Sequence, residues 1–149
     1  MGQSFVITCT ECDYKKEFML GIGMLYSPAN VEGFDSEFTI LPSLIKSKKT
    51  LELVKCLLNE KQGRFADNYG HALYHCSKCG EFYERFFYHI DHKNGSFEPT
   101  FKCPKCRVLM IKFEADEDDG KNIDLSLYPC PKCGRNGLIQ DVNSMVNWD

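Results

Sequence analysis

YPCPKCGRNG, residues 128–137, sets two cysteines two residues apart. Alone, that spacing suits a redox pair, a disulfide or half of a metal site. The rest of the chain narrows the choice. It holds nine cysteines, and eight form four C-x-x-C pairs: Cys9/Cys12, Cys76/Cys79, Cys103/Cys106 and Cys130/Cys133. A tetrahedral ion takes four ligands, and one C-x-x-C turn presents two thiolates. Four pairs therefore predict two zinc ions per chain, each held by four cysteines. Cys56 stands apart, inside a predicted helix with no second cysteine near it. It reads as a small buried apolar residue and not as a ligand.

Other features agree. The start, MGQSFVITCTECDYKK, has no basic segment followed by an apolar run and a small-residue cleavage site. Position 6 is Val where a myristoylation signal takes Ser or Thr. No apolar stretch approaches the ~20 residues of a membrane span. A cytoplasmic chain is expected, in which thiols stay reduced and disulfides are disfavoured. At 149 residues, with apolar residues in short bursts around the cysteines, small units would bury too little surface to be stable alone. Structural zinc, worth about 10–16 kcal/mol per site, supplies the difference.

The charge balance is acidic: 18 Lys and Arg against 21 Asp and Glu, a formal −3. Eight thiolates (−8) and two Zn²⁺ (+4) take the loaded chain near −7. Lys78, Lys105, Arg107, Lys132 and Arg135 flank the cysteines and are candidate phosphate or partner contacts. The plainer reading is that each offsets thiolate charge on its own turn. An acidic total favours that reading, since phosphate binding draws on excess Lys and Arg.

Along the chain, residues 5–20 read as a β-hairpin with the first pair in its turn. The residue after each second cysteine often needs positive φ, which Gly accepts without strain. Asp13, Gly80 and Gly134 are easily accommodated; Arg107 is the expected departure. LGIGMLYSP lacks the third glycine and the βαβ context of a nucleotide loop and reads as a bend. A helix is predicted over about 43–63, capped by Ser47 or Thr50 and ended by Gly63. HALYH enters the second pair, and FYERFFYHI leaves it as one long aromatic strand. Its Phe82, Tyr83, Phe86, Phe87 and Tyr88 read as core before base-stacking platform. DHKNGSFEPT is taken as a linker, dividing the chain into 1–97 and 98–149. The tail then reads turn, strand (108–113), charged hairpin loop (114–122), strand (125–128), turn. The loop fails as a calcium site, because Ala115 and Ser126 fall where the terminal ligands belong.

Spacing does not say which pairs share a metal. Twenty-three residues separate the second pair from the third, and again the third from the fourth. A polar loop between the third and fourth pairs favours joining those two.

ITCTEC and YHCSKCGEFYERFFYHID, with the helix over 44–62 between them and Tyr88-His89 closing the strand, resemble the bacterial CpXC-type domain. The first turn departs from that pattern, lacking its proline and carrying Asp13 in place of Gly. The last third is similar to generic zinc ribbons. The resemblance implies a fold and a metal; the family has no assigned activity. It also implies site 1 from Cys9, Cys12, Cys76 and Cys79, and site 2 from Cys103, Cys106, Cys130 and Cys133. The expected fold is thus a small zinc-stabilised α+β protein: two zinc-ribbon units, the first carrying a helical insert.

Sites filled by four cysteines leave no coordination position for substrate. The expected function is a structural-zinc interaction or scaffold module that binds a protein. A nucleic-acid-binding ribbon is the alternative, and a thiol redox switch the second. No complete catalytic motif is present. The zinc-deaminase pattern fails at Asp91, where it needs Glu. His75 adjoins Cys76 and is expected to be a strand residue, not a ligand.

Overall fold

A computed structural model describes residues 2–32, 40–113, 123–144 and 146–148. The expected charged loop, 114–122, lies outside them. The fold is a small α+β arrangement in which strands dominate.

The chain opens with β1 (Gly2–Cys9) and β2 (Lys15–Leu20), antiparallel from Gln3↔Leu20 to Thr8↔Lys15. A bend at Gly21 leads to a 3₁₀ turn (Met24–Tyr26) and α1 (Pro28–Glu32). Then come α2 (Leu41–Leu44) and α3 (Lys48–Asn59). β3 (Arg64–Phe65), β4 (Gly70–His75), β5 (Phe82–Phe87), β6 (Ile90–His92), β7 (Gly95–Phe97) and β8 (Ile111–Lys112) follow. β9 (Leu138–Gln140), a 3₁₀ turn (Val142–Ser144) and β10 (Asn147–Trp148) close the chain.

The strands form two units of one design. In the outer unit, β1 lies between β2 and the chain's end: β9 pairs along Ile7–Cys9 and β10 along Gly2–Gln3. In the inner unit, β4 lies between β5 and β8. Each unit is a hairpin with a C-x-x-C turn, plus a strand that leaves a second C-x-x-C turn and joins the hairpin's first strand. The inner unit is inserted in sequence between the two parts of the outer one.

A central strand is covered on both edges, which explains why β1 is buried along nearly its whole length while half of β2 is exposed. Ser4, 1% exposed, ties β1 to the chain's end. Its N–H donates to Val146 O (2.7 Å), its hydroxyl to Ser144 O (3.2 Å), and its Oγ accepts from Val146 N–H (2.8 Å). A Cβ at Gly2 would meet the Trp148 ring at 2.2 Å, so only glycine lets these ends lie together.

The helices and the β3-β6-β7 sheet share one apolar core: Val31, Leu41, Val54, Leu57, Phe86, Tyr88 and Ile90 are its buried centre. The predicted single helix is two. Ile45 is extended, and the Ser47 hydroxyl caps a fresh start by accepting from Thr50 N–H (3.3 Å). α3 ends as Gln62 turns left-handed (φ 54°) and Gly63 N–H returns to Leu57 O (2.8 Å).

Further differences concern connectivity. The division at 97/98 is not seen: residues 90–97 form the β6–β7 hairpin, and β8, β9 and β10 pair with strands from the first half. The aromatic run breaks between β5 and β6. Among the described residues, 108–113 and 125–128 do not pair; the first supplies β8 to β4, and the second is a turn closed by Tyr128 N–H to Leu125 O (3.1 Å). Long-range pairing with a buried strand outweighed the local hairpin. Phe82, Phe86, Phe87 and Tyr88 pack as core, with Phe82 and Tyr88 at or below 1% exposure, while Tyr83 is half-buried.

Candidate metal centres

Each cysteine turn is built alike. The first cysteine's N–H donates to the carbonyl five residues on: Cys9 to Tyr14 (3.0 Å), Cys76 to Glu81 (2.9 Å), Cys103 to Val108 (2.8 Å) and Cys130 to Arg135 (2.8 Å). Three turns add a bond from the residue after the second cysteine back to the first cysteine's carbonyl: Gly80 N–H to Cys76 O, Arg107 N–H to Cys103 O and Gly134 N–H to Cys130 O. Those three residues have φ of 71°, 62° and 74°. Arg107 therefore conforms, against expectation, and the first turn is the one that differs. Asp13 stays out of the left-handed region. Backbone N–H groups of Glu11, Cys106 and Lys132 face the sulfurs of Cys9, Cys103 and Cys130, each at 3.4 Å.

The turns meet in two groups of four sulfurs, each within 4.8 Å of one another: Cys9, Cys12, Cys130, Cys133, and Cys76, Cys79, Cys103, Cys106. All eight expected ligands are thus gathered, but not in the expected sets. The first pair joins the fourth, and the second joins the third. The cause is the strand pairing above: β9 brings the fourth turn to the end of β1, where Thr10 N–H meets Gly137 O at 2.8 Å.

Cross-pair sulfur separations are 3.8 Å (Cys9–Cys133), 3.7 Å (Cys12–Cys130) and 3.7 Å (Cys79–Cys103). Four sulfurs at ~2.3 Å from one ion lie about 3.8 Å apart along tetrahedron edges. A disulfide needs about 2.05 Å, and every cysteine here is free. The donor set and spacing fit a tetrahedral cation at both centres. The titration behaviour fits it too. Burial opposes ionisation of Cys103, yet the N–H groups of Cys106 and Lys105 bring its thiol down to about 6. Burial and its sulfur neighbours push Cys79 up to about 12. Clustered thiols cannot all ionise together without a positive charge among them.

Cys56 belongs to neither group. It is also not core: it is half-buried on the flank of α3's apolar face, its thiol donating to Glu60 Oε2 at 3.3 Å. His75 is a strand residue with Nε2 unpartnered among the described residues. Burial holds it below the usual imidazole range; Phe82, Phe113 and Tyr128 surround its ring.

The flanking cations mostly answer acids on the turn across from them. Lys132 Nζ meets Asp13 at 2.6 Å and Arg135 meets Glu11 at 3.2 Å; Lys105 meets Glu81 at 3.4 Å. Lys78 and Arg107 are exposed without an ion pair among the described residues. The sequence held this signal: an acidic first turn matches a basic fourth. Sequence reading missed Glu81 as well. It accepts from Tyr14 OH (3.0 Å), Lys16 Nζ (3.2 Å) and Phe82 N–H (3.1 Å), linking the inner hairpin turn to the outer one. Burial opposes its ionisation, but these donors hold it below the usual carboxylate range.

No helix among the described residues is long and apolar enough to cross a membrane. Comparison of the chain with family models, with curated proteins and with solved structures gives no match to any of them.

Proposed function

We propose that the protein is a structural-zinc module: two four-cysteine zinc centres hold two nested zinc-ribbon units, whose surface serves to bind another protein. The observation that carries this is the pair of four-sulfur clusters with tetrahedral edge lengths. A centre of four thiolates is coordinatively complete, so its contribution is folding free energy and not bond chemistry. The pairing of Lys105, Lys132 and Arg135 with acids supports a protein partner over phosphate. Nine free thiols suit a reducing compartment, the cytoplasm. The likeness to the CpXC-type domain rests on the first two turns and the helical segment between them. Elemental analysis of purified protein tests the metal: two zinc per chain supports the reading, and one or none overturns it. Pull-down from nuclease-treated and untreated extract tests the partner; recovery that nuclease abolishes contradicts a protein partner.

A further inference from the structure

A groove beside the helices has none of the clustered cysteines in its lining. It runs between the segment joining α2 to α3, the β5 strand and residues 97–101, with a volume of about 960 Å³. That is at the upper end of small-ligand sites, which span roughly 300–1,000 Å³. Leu44, Leu53, Phe86 and Phe97 supply apolar wall, and Leu53 is left 44% exposed at its edge.

Its polar groups sort by sign. Both acids on the wall are engaged: Glu84 with His71 (2.9 Å) and with Met19 N–H (2.7 Å), and Glu98 with His89 (2.8 Å). Arg85 donates to Glu84 O (2.7 Å) and covers the Tyr83 ring. Lys46 and Lys49 are exposed and have no partner among the described residues. α3 begins at the same place, with Ser47, Lys49 and Thr50 on the wall and no acid in its first turn to offset its positive end. Tyr88 also lines the groove. It is 1% exposed, and its hydroxyl has no hydrogen-bond partner among the described residues. A buried hydroxyl without an acceptor is unfavourable, and a ligand oxygen brought to it removes that penalty.

We infer that this groove binds a small amphipathic carboxylate, a molecule with an apolar body and one anionic end. The body covers the Leu44, Leu53, Phe86 and Phe97 wall. The carboxylate end meets Lys46, Lys49 and the start of α3, and an acceptor oxygen answers Tyr88. This goes beyond the proposed structural role of the metals and does not depend on which metal they hold.

Titration calorimetry on the full metal-loaded chain tests it, with sodium dodecanoate below its micelle concentration as the probe. Dodecanol and dodecyltrimethylammonium are the comparison ligands. Expected is saturable one-to-one binding of dodecanoate, at least about tenfold tighter than dodecanol, with no competition from the cation. K46Q/K49Q should lower dodecanoate affinity by about tenfold, with metal content and melting temperature unchanged. Tyr88→Phe should lower it by about fivefold while leaving the ligand-free protein at least as stable, since the orphan hydroxyl is removed. A structural role for Tyr88 would not produce that split. Absence of saturable binding, equal affinity for dodecanol, or an unchanged affinity in K46Q/K49Q overturns the inference.

Discussion

The inner and outer units share one plan but close very different loops. Across the inner centre, Cys79 and Cys103 are 24 residues apart; across the outer, Cys12 and Cys130 are 118 apart. Loop-closure entropy makes the outer centre harder to assemble by roughly 1.4 kcal/mol if the intervening chain is disordered. Once the inner unit is folded, most of that span is already shortened. Exposure differs as well: Cys133 is exposed, whereas no inner ligand is. The comparison teaches that the outer centre depends on the inner one, while the inner one contains everything it needs.

The largest effect expected from this asymmetry is seen on removing one ligand from each centre. Cys130→Ser should release one metal and leave the inner unit's amides protected from exchange. Cys103→Ser should release the inner metal, weaken the outer one and lower the melting temperature further, because metal binding and folding are one event in small units of this kind. Equal damage from the two variants would break the comparison. A chelator should next resolve two phases, the outer metal leaving first through its exposed ligand. A single phase, or release of the inner metal first, would contradict that order.

Smaller effects sharpen the difference between turns. Arg107 occupies a left-handed position that glycine adopts without strain, so Arg107→Gly should stabilise the protein by about 0.5–1 kcal/mol. Asp13→Gly should not, because Asp13 is outside that region and pairs with Lys132. Chemical denaturation of the two variants gives the comparison. The smallest effect concerns His89, beside the β6–β7 hairpin. Hydrogen bonds that its ring nitrogens donate to the Glu98 and Asp91 carboxylates raise its pKa. A raised value means its contribution is fully present below the unfolded pKa, near 6.5, and is lost as pH rises through the folded value. His89→Gln should therefore cost more stability at pH 6 than at pH 9; a cost independent of pH would remove the ion pairs from the account.

Local chemistry was legible in the residues. Four C-x-x-C turns announce eight candidate ligands, alternation announces β1 and β2, and Ser47 was one of two candidate caps for a helix the structure divides in two. The pairing was not, because equal 23-residue gaps carry no preference and the resemblance pointed the other way. What decides it is contact between the first ten residues and the last twenty, a non-local pairing that no window of sequence contains. The 125–128 segment was read as a strand because its apolar residues suit one, yet β4 already has β8 on its free edge. The charge match of Glu11 and Asp13 with Arg135 and Lys132 is the one trace of the true pairing in the sequence, and it shows only when distant turns are compared. The groove left no such trace, since Lys46, Leu53, Tyr88 and Phe97 come together only through packing.

The interleaved pairing is tested most directly by counting metal in two four-cysteine variants of the full chain. In C9S/C12S/C130S/C133S the inner centre keeps all its ligands, and in C9S/C12S/C76S/C79S each centre loses two. Elemental analysis should find one metal per chain in the first variant, bound as tightly as in the wild type, and no tightly bound metal in the second. The opposite result, none in the first and one in the second, would contradict the account, since it would require the third and fourth pairs to share an ion.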